Sequence, residues 1–138
     1  MKSFDSRVSA YGIIFGVASM VVVYAILHDQ YLVRIAPEHF TVYHAPLWSI
    51  TNPFLLAGAY ALLASLVPGL ILGLACFVVG RLGFWPKVGT KRILIGVSAV
   101  IMATEVVAAS SGLLAWSLGR GILPRFFYPD PALPLIVS

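Results

Sequence analysis

Residues 53–80 read PFLLAGAYALLASLVPGLILGLACFVVG, 28 residues without one Asp, Glu, Lys, Arg or His. A helix needs roughly 20 apolar residues to cross the hydrocarbon of a bilayer, so this stretch reads as a membrane span. Two more stretches have the same character, residues 10–28 and 92–118. The fold class expected is an all-α integral membrane protein, with three transmembrane helices in a small bundle. A long outer loop (29–52) separates helices 1 and 2, a short inner loop (81–91) joins helices 2 and 3, and a tail (119–138) follows. Composition agrees: 60% of residues are hydrophobic and 10% charged, against about 25% charged in soluble domains. No segment outside the spans is long enough for a soluble core of its own, so residues 1–138 read as one membrane domain.

Within residues 53–80, Ala57, Ala61, Ser65, Gly69 and Gly73 fall at a spacing of four. That spacing keeps them on one helix face and ends in a GxxxG pair, the pattern that lets a second helix approach closely. The partner is left open: span one, span three or another protein. Pro68 removes a backbone donor and crowds the carbonyl of Ala64, so a kink is expected there. Span one holds Gly12 and Gly16, and span three holds Gly96, Ala108 and Gly112.

The basic residues give the orientation. Lys2, Arg7, Arg81, Lys87, Lys91 and Arg92 lie on one side; Arg34, Arg120 and Arg125 lie on the other. The excess of positive charge belongs in the cytoplasm, which places the N-terminus there. The net charge of +4 is thus a membrane-boundary feature, and no nucleic-acid partner is expected. The N-terminus has the basic start of a secretory signal, but its apolar run is long and His28-Asp29-Gln30 offers no small-residue cleavage site, so the span reads as retained. Phe84, Trp85 and Trp116 sit where aromatic residues anchor at the interface. Arg125-Phe126-Phe127-Tyr128 with Pro129, Pro131 and Pro134 reads as an interfacial tail. The single cysteine, Cys76, excludes an intramolecular disulfide and reads as a small buried apolar residue.

Two places could carry chemistry. Glu105 falls near the middle of span three, where a charged acid costs on the order of 3 kcal/mol. Measured from the span ends, Ser19 and Ser65 lie at a similar depth. The expected picture is an uncharged acid donating a hydrogen bond to a serine or to the Ala64 carbonyl. A pairing with a polar group of another subunit, and a proton-carrying role, are the alternatives. The second place is the outer loop, which gathers His28, Asp29, Arg34, Glu38, His39 and His44 within residues 28–44, including all three histidines. The loop is a candidate binding surface for another protein; imidazole and carboxylate are also metal ligands, so His28, His39 and His44 are candidates for a metal or haem. The spacing is not that of the HExxH helix. Structural readings compete: a short helix started by Pro37-Glu38, a small hairpin from residues 31–35 and 40–44, and an Asp29–Arg34 ion pair.

The string His28-Asp29-Gln30, Val33-Arg34-Ile35, Pro37-Glu38, Phe40-Thr41-Val42 and His44 resembles a block in small uncharacterised bacterial multi-span membrane proteins. In those proteins the block follows the first span and precedes two or three more. The resemblance implies the bacterial inner (cytoplasmic) membrane and this topology, and carries no catalytic residue. A fourth span belongs to some relatives; here a Pro-rich tail follows the third.

No Gly-rich phosphate loop, nucleophile elbow or paired carboxylates on one helix are present, so no enzyme and no cofactor are expected. The function expected is that of an accessory or scaffolding subunit of a larger membrane complex, its partners being the lipid bilayer and other membrane subunits or its own copies. The alternatives are a small oligomeric transporter or proton-linked channel using Glu105, and a metal or haem protein using the histidine loop.

Overall fold

Long runs without Pro, broken only where Pro or a turn intervenes, dictate long helices here. The computed structural model describes residues 2–42, 44, 47–82 and 86–117. Phe84, Trp85 and the whole tail from residue 118 lie outside the described residues, as does the side chain of Trp116. In chain order the elements are α1 (Lys2–Ile35), α2 (Glu38–Thr41), α3 (Pro53–Phe77) and α4 (Thr90–Ser117). A five-residue π-helical turn, Val78–Leu82, extends α3. Three helical stretches are long and apolar enough to cross a membrane: Arg7–Ile35, Pro53–Leu82 and Thr90–Ser111. The described elements are all helical, and no strand occurs among them. The contacts divide the chain into two units, Met1–Ile101 and Met102–Ser138, so the second half of α4 belongs to the second unit.

The expectation that the first helix ends at residue 28 is corrected. α1 has 34 residues, about 51 Å at 1.5 Å per residue, and runs through His28, Asp29 and Arg34. A polar residue marks where a helix leaves hydrocarbon but does not end it. The helix stops at Ile35 because Pro37 disfavours helical geometry in the residue before it. Ala36 still donates to the Leu32 carbonyl, at 2.9 Å. The hairpin is replaced too: residues 31–35 complete α1, and Phe40-Thr41 belong to α2. α2 begins directly after Pro37, with Glu38 in its first turn. The 81–91 loop shortens, because helical structure reaches Leu82 and resumes at Thr90.

α3 starts at Asn52-Pro53. The Asn52 side chain accepts from the amides of Phe54 (2.9 Å) and Leu55 (3.2 Å), two of the donors a helix start leaves unpaired. Pro53 in the first turn loses nothing by lacking its own N–H. The helix continues through Pro68 as one element. It buries Leu56, Ala57, Ala61, Ser65, Gly69 and Gly73, and this face packs against α1. On α1 the buried residues include Ile13, Val17 and Ala18.

The two helices are antiparallel, and their backbones approach closely at two glycines. A Cβ at Gly69 would lie 3.1 Å from the Ala18 Cα and 3.3 Å from the Val21 Cβ. A Cβ at Gly73 would meet the Ile14 carbonyl oxygen and lie 2.9 Å from its Cα. Backbone against backbone is possible only because both positions lack a side chain. The Ser65 hydroxyl donates within its own helix to the Ala61 carbonyl, at 2.5 Å. At the opposite end of the pair, the Gln30 amide donates to the Phe54 carbonyl at 2.8 Å.

Candidate functional site

The polar end of the α1–α3 pair is built on a small apolar floor. Val33 of α1, Phe40 of α2, and Leu56 and Ala57 of α3 are each at most 5% exposed, with Leu32, Leu47, Ile50 and Tyr60 packed around them. Burial of Phe40 is what fixes α2, since a four-residue helix has too few internal bonds to hold itself. The chain then returns through a tight turn in which Ile50 donates to the Leu47 carbonyl at 2.9 Å. Trp48 and Ser49 take positive φ there, 46° and 58°. Side chains are disfavoured in that region, at a cost of roughly 1–3 kcal/mol each. The Trp48 side chain is exposed.

The histidines stand on this floor. His39 meets Phe40 edge-on at 4.9 Å and His44 edge-on at 4.7 Å. His44 lies 4.9 Å from the Tyr60 ring and stacks on Phe40 at 6.2 Å. The His44 Nδ1 donates to the His39 carbonyl, 2.6 Å away, which places a proton on that nitrogen. His28, one turn after Tyr24 on α1, has its ring 5.8 Å from the tyrosine. Asp29 is close enough to interact electrostatically with His28, His39 and His44. The loop therefore brings Asp29, His39 and His44 together, with Tyr60 arriving from α3.

Arg34 turns away from Asp29. Its guanidinium donates to the Gln30 carbonyl one turn back and lies over the Phe54 ring at 5.5 Å, a cation–π contact. The group that fixes this rim is thus an aromatic ring at the start of α3 rather than a carboxylate. Among the described residues, no group of three His, Cys, Asp or Glu side chains is placed to hold a metal ion.

His39 is held below the ordinary imidazole value of 6.5, first by desolvation and then by the neighbouring His44, while Asp29 pulls the other way. The folded form of this loop therefore binds a proton less readily than the opened chain. Its stability is full above about pH 6.5 and declines as the pH falls through the lowered pKa. The protection of residues 36–50, meaning the exchange rate relative to the intrinsic amide rate at each pH, is expected to fall between pH 7.5 and about 5, and His39→Gln is expected to flatten that dependence. A pH-independent protection in the unsubstituted chain would remove His39 as the cause.

The remaining candidates lie elsewhere. Ser65 is buried in the α1–α3 contact, whereas the Ser19 side chain is exposed. Glu105 is half-buried on the part of α4 that belongs to the second unit. Cys76 is half-buried rather than enclosed. Residues not offered as site candidates from the sequence include Gln30, Phe54 and Tyr60, and also Arg81, whose guanidinium donates to the Ser9 hydroxyl at 3.3 Å. Only the Asn52-Pro53 helix start could have hinted that the beginning of α3 takes part in the loop. Compared with models of protein families, with curated proteins and with solved structures, the chain matches none.

Proposed function

We propose that the chain is a three-span membrane protein acting as an accessory or scaffolding subunit, and that α4 is the helix it offers to a neighbouring membrane subunit. The observation that carries this reading is the state of α4 itself. None of its described side chains is buried, although Thr90–Ser111 is as apolar as a membrane span. Val100, Met102, Val106, Val107 and Leu113 are each more than 60% exposed. Lipid tails accept such residues. A carboxylic acid at mid-span is costly to place in them, and α4 carries Glu105 together with the small residues Ala99, Ala103, Ser110 and Ser111. Small residues permit close helix approach, and hydroxyls bond across helices.

The basic residues Lys2, Arg7, Arg81, Lys87, Lys91 and Arg92 favour a cytoplasmic N-terminus. Placement in a bacterial inner membrane rests on the loop string at residues 28–44. The experiment is to extract the chain from its own membrane in mild detergent, alongside Glu105→Leu and Ala103→Phe. Both variants should remain in the membrane fraction and lose the high-mass assembly. Full assembly in both variants would remove α4 as the contact.

A further inference from the structure

At the end of the bundle opposite the histidines, α3 and α4 leave an open apolar groove. It is lined by Ala75, Cys76, Val79, Gly80 and Ile93, and its volume is about 380 Å³. The groove lies within the first unit. Its floor is narrow at Gly80, where a Cβ would come within 2.8 Å of the Ile93 Cδ1. Directly beside the lining residues stand cations. Arg81 follows Gly80, and Lys91 and Arg92 precede Ile93. The Lys87, Lys91 and Arg92 side chains are exposed.

Arg81, next to Gly80 in the chain, is held by two hydrogen bonds. One of its nitrogens donates to the Ser9 hydroxyl at 3.3 Å and another to the Val88 carbonyl at 3.5 Å. Those bonds use two of the five guanidinium N–H donors. Arg81 lies in the π-helical turn Val78–Leu82, and such turns are frequent at functional sites. The Val88 amide closes the segment back onto α3 by donating to the Gly80 carbonyl at 3.0 Å.

Basic residues at a span end orient a protein whether or not they bind anything. The added feature here is an apolar groove whose lining residues Gly80 and Ile93 are chain neighbours of these cations. An elongated apolar chain joined to an anionic head matches both halves at once. We propose that this groove is a binding site for an anionic glycerophospholipid, with one acyl chain along Cys76, Val79 and Ile93 and the phosphate at Arg81, Lys91 and Arg92. Basic pockets between membrane helices on the positive side are suited to this chemistry. The inference rests on the membrane-spanning reading of the three helices.

Cys76 is the single cysteine of the chain and lines the groove, so its alkylation reports occupancy. The purified full chain in detergent is treated with a maleimide while dioleoyl phosphatidylglycerol, dioleoyl phosphatidylcholine or inorganic phosphate is added. Phosphatidylglycerol should slow alkylation saturably, and phosphatidylcholine and phosphate should not. Each exposed cation near an anionic headgroup contributes roughly fivefold in affinity, so Lys91→Gln with Arg92→Gln should raise the half-protecting concentration about 25-fold. These two side chains are exposed, so the double variant keeps the fold; unchanged circular dichroism checks this. Equal slowing by both lipids, protection by phosphate alone, or an unchanged preference in the double variant would overturn the site. A separate carbonate wash of the source membrane keeps the two readings apart: release of the chain would sink the membrane assignment, whereas retention without lipid preference would sink only the lipid site.

Discussion

Gly73→Ala is expected to separate α1 from α3 and to lower the unfolding midpoint of the chain in detergent more than any other single methyl addition. The added Cβ meets the Ile14 backbone, its carbonyl oxygen and, at 2.9 Å, its Cα. A backbone atom cannot swing aside as a side-chain tip can, so the helices must move apart along the whole contact. Alanine is the better helix former by up to about 1 kcal/mol, which offsets part of the loss. Overpacking of a tight contact costs about 1–3 kcal/mol, and this position belongs at the upper end. Gly69→Ala, with its nearest backbone atom at 3.1 Å, should lose less. Gly96→Ala meets nothing within 4 Å and serves as the control that shows the helix-propensity gain alone. Thermal unfolding followed by circular dichroism ranks the three. Equal midpoints for Gly73→Ala and Gly96→Ala would contradict the close α1–α3 crossing.

Phe40→Ala should release the histidine end while leaving the α1–α3 pair intact. Phe40 is 2% exposed and sits among Val33, Leu56 and Ala57. Removing a buried phenyl ring costs about 3–5 kcal/mol in a large core; in this small cluster about 3 kcal/mol is expected, which raises the local opening constant by roughly two orders of magnitude. His39 and His44 lose the ring both rest on, so their separation goes with it. The readout is hydrogen exchange over residues 36–50 against residues 10–25. Fast exchange should be confined to the first segment. Uniform change along the chain, or none, would show that Phe40 does not hold α2.

The helices and the pairing face of α3 can be read from sequence because both follow from local rules. Spacing by four puts Ala57, Ala61, Ser65, Gly69 and Gly73 on one side of any helix, and α3 buries that side. Which helix covers it was not readable, since Gly12 and Gly16 of α1 and Gly96 of α4 offer similar small-residue patterns. The end of α1 is not legible at His28, because a change of polarity there says where hydrocarbon stops, whereas only Pro37 says where the helix stops. The loop residues were readable as a cluster along the chain, but their arrangement was not. It depends on Tyr60 and Phe54, which lie in an apolar helix and carry no signal of contact with His44 or Arg34. The groove at Cys76 was hidden for a similar reason. Its two walls come from different helices, and one of them includes a π-helical turn that no periodicity announces.

The scaffolding reading requires that the chain not be alone in its own membrane. Native mass measurement of the wild-type chain, released from the source membrane in mild detergent, tests this most directly. One assembly of fixed stoichiometry is expected, heavier than the 14.8 kDa of a single chain, that retains this subunit and loses it when Glu105→Leu is introduced. A 14.8 kDa monomer as the sole species, identical for wild type and variant, would contradict it.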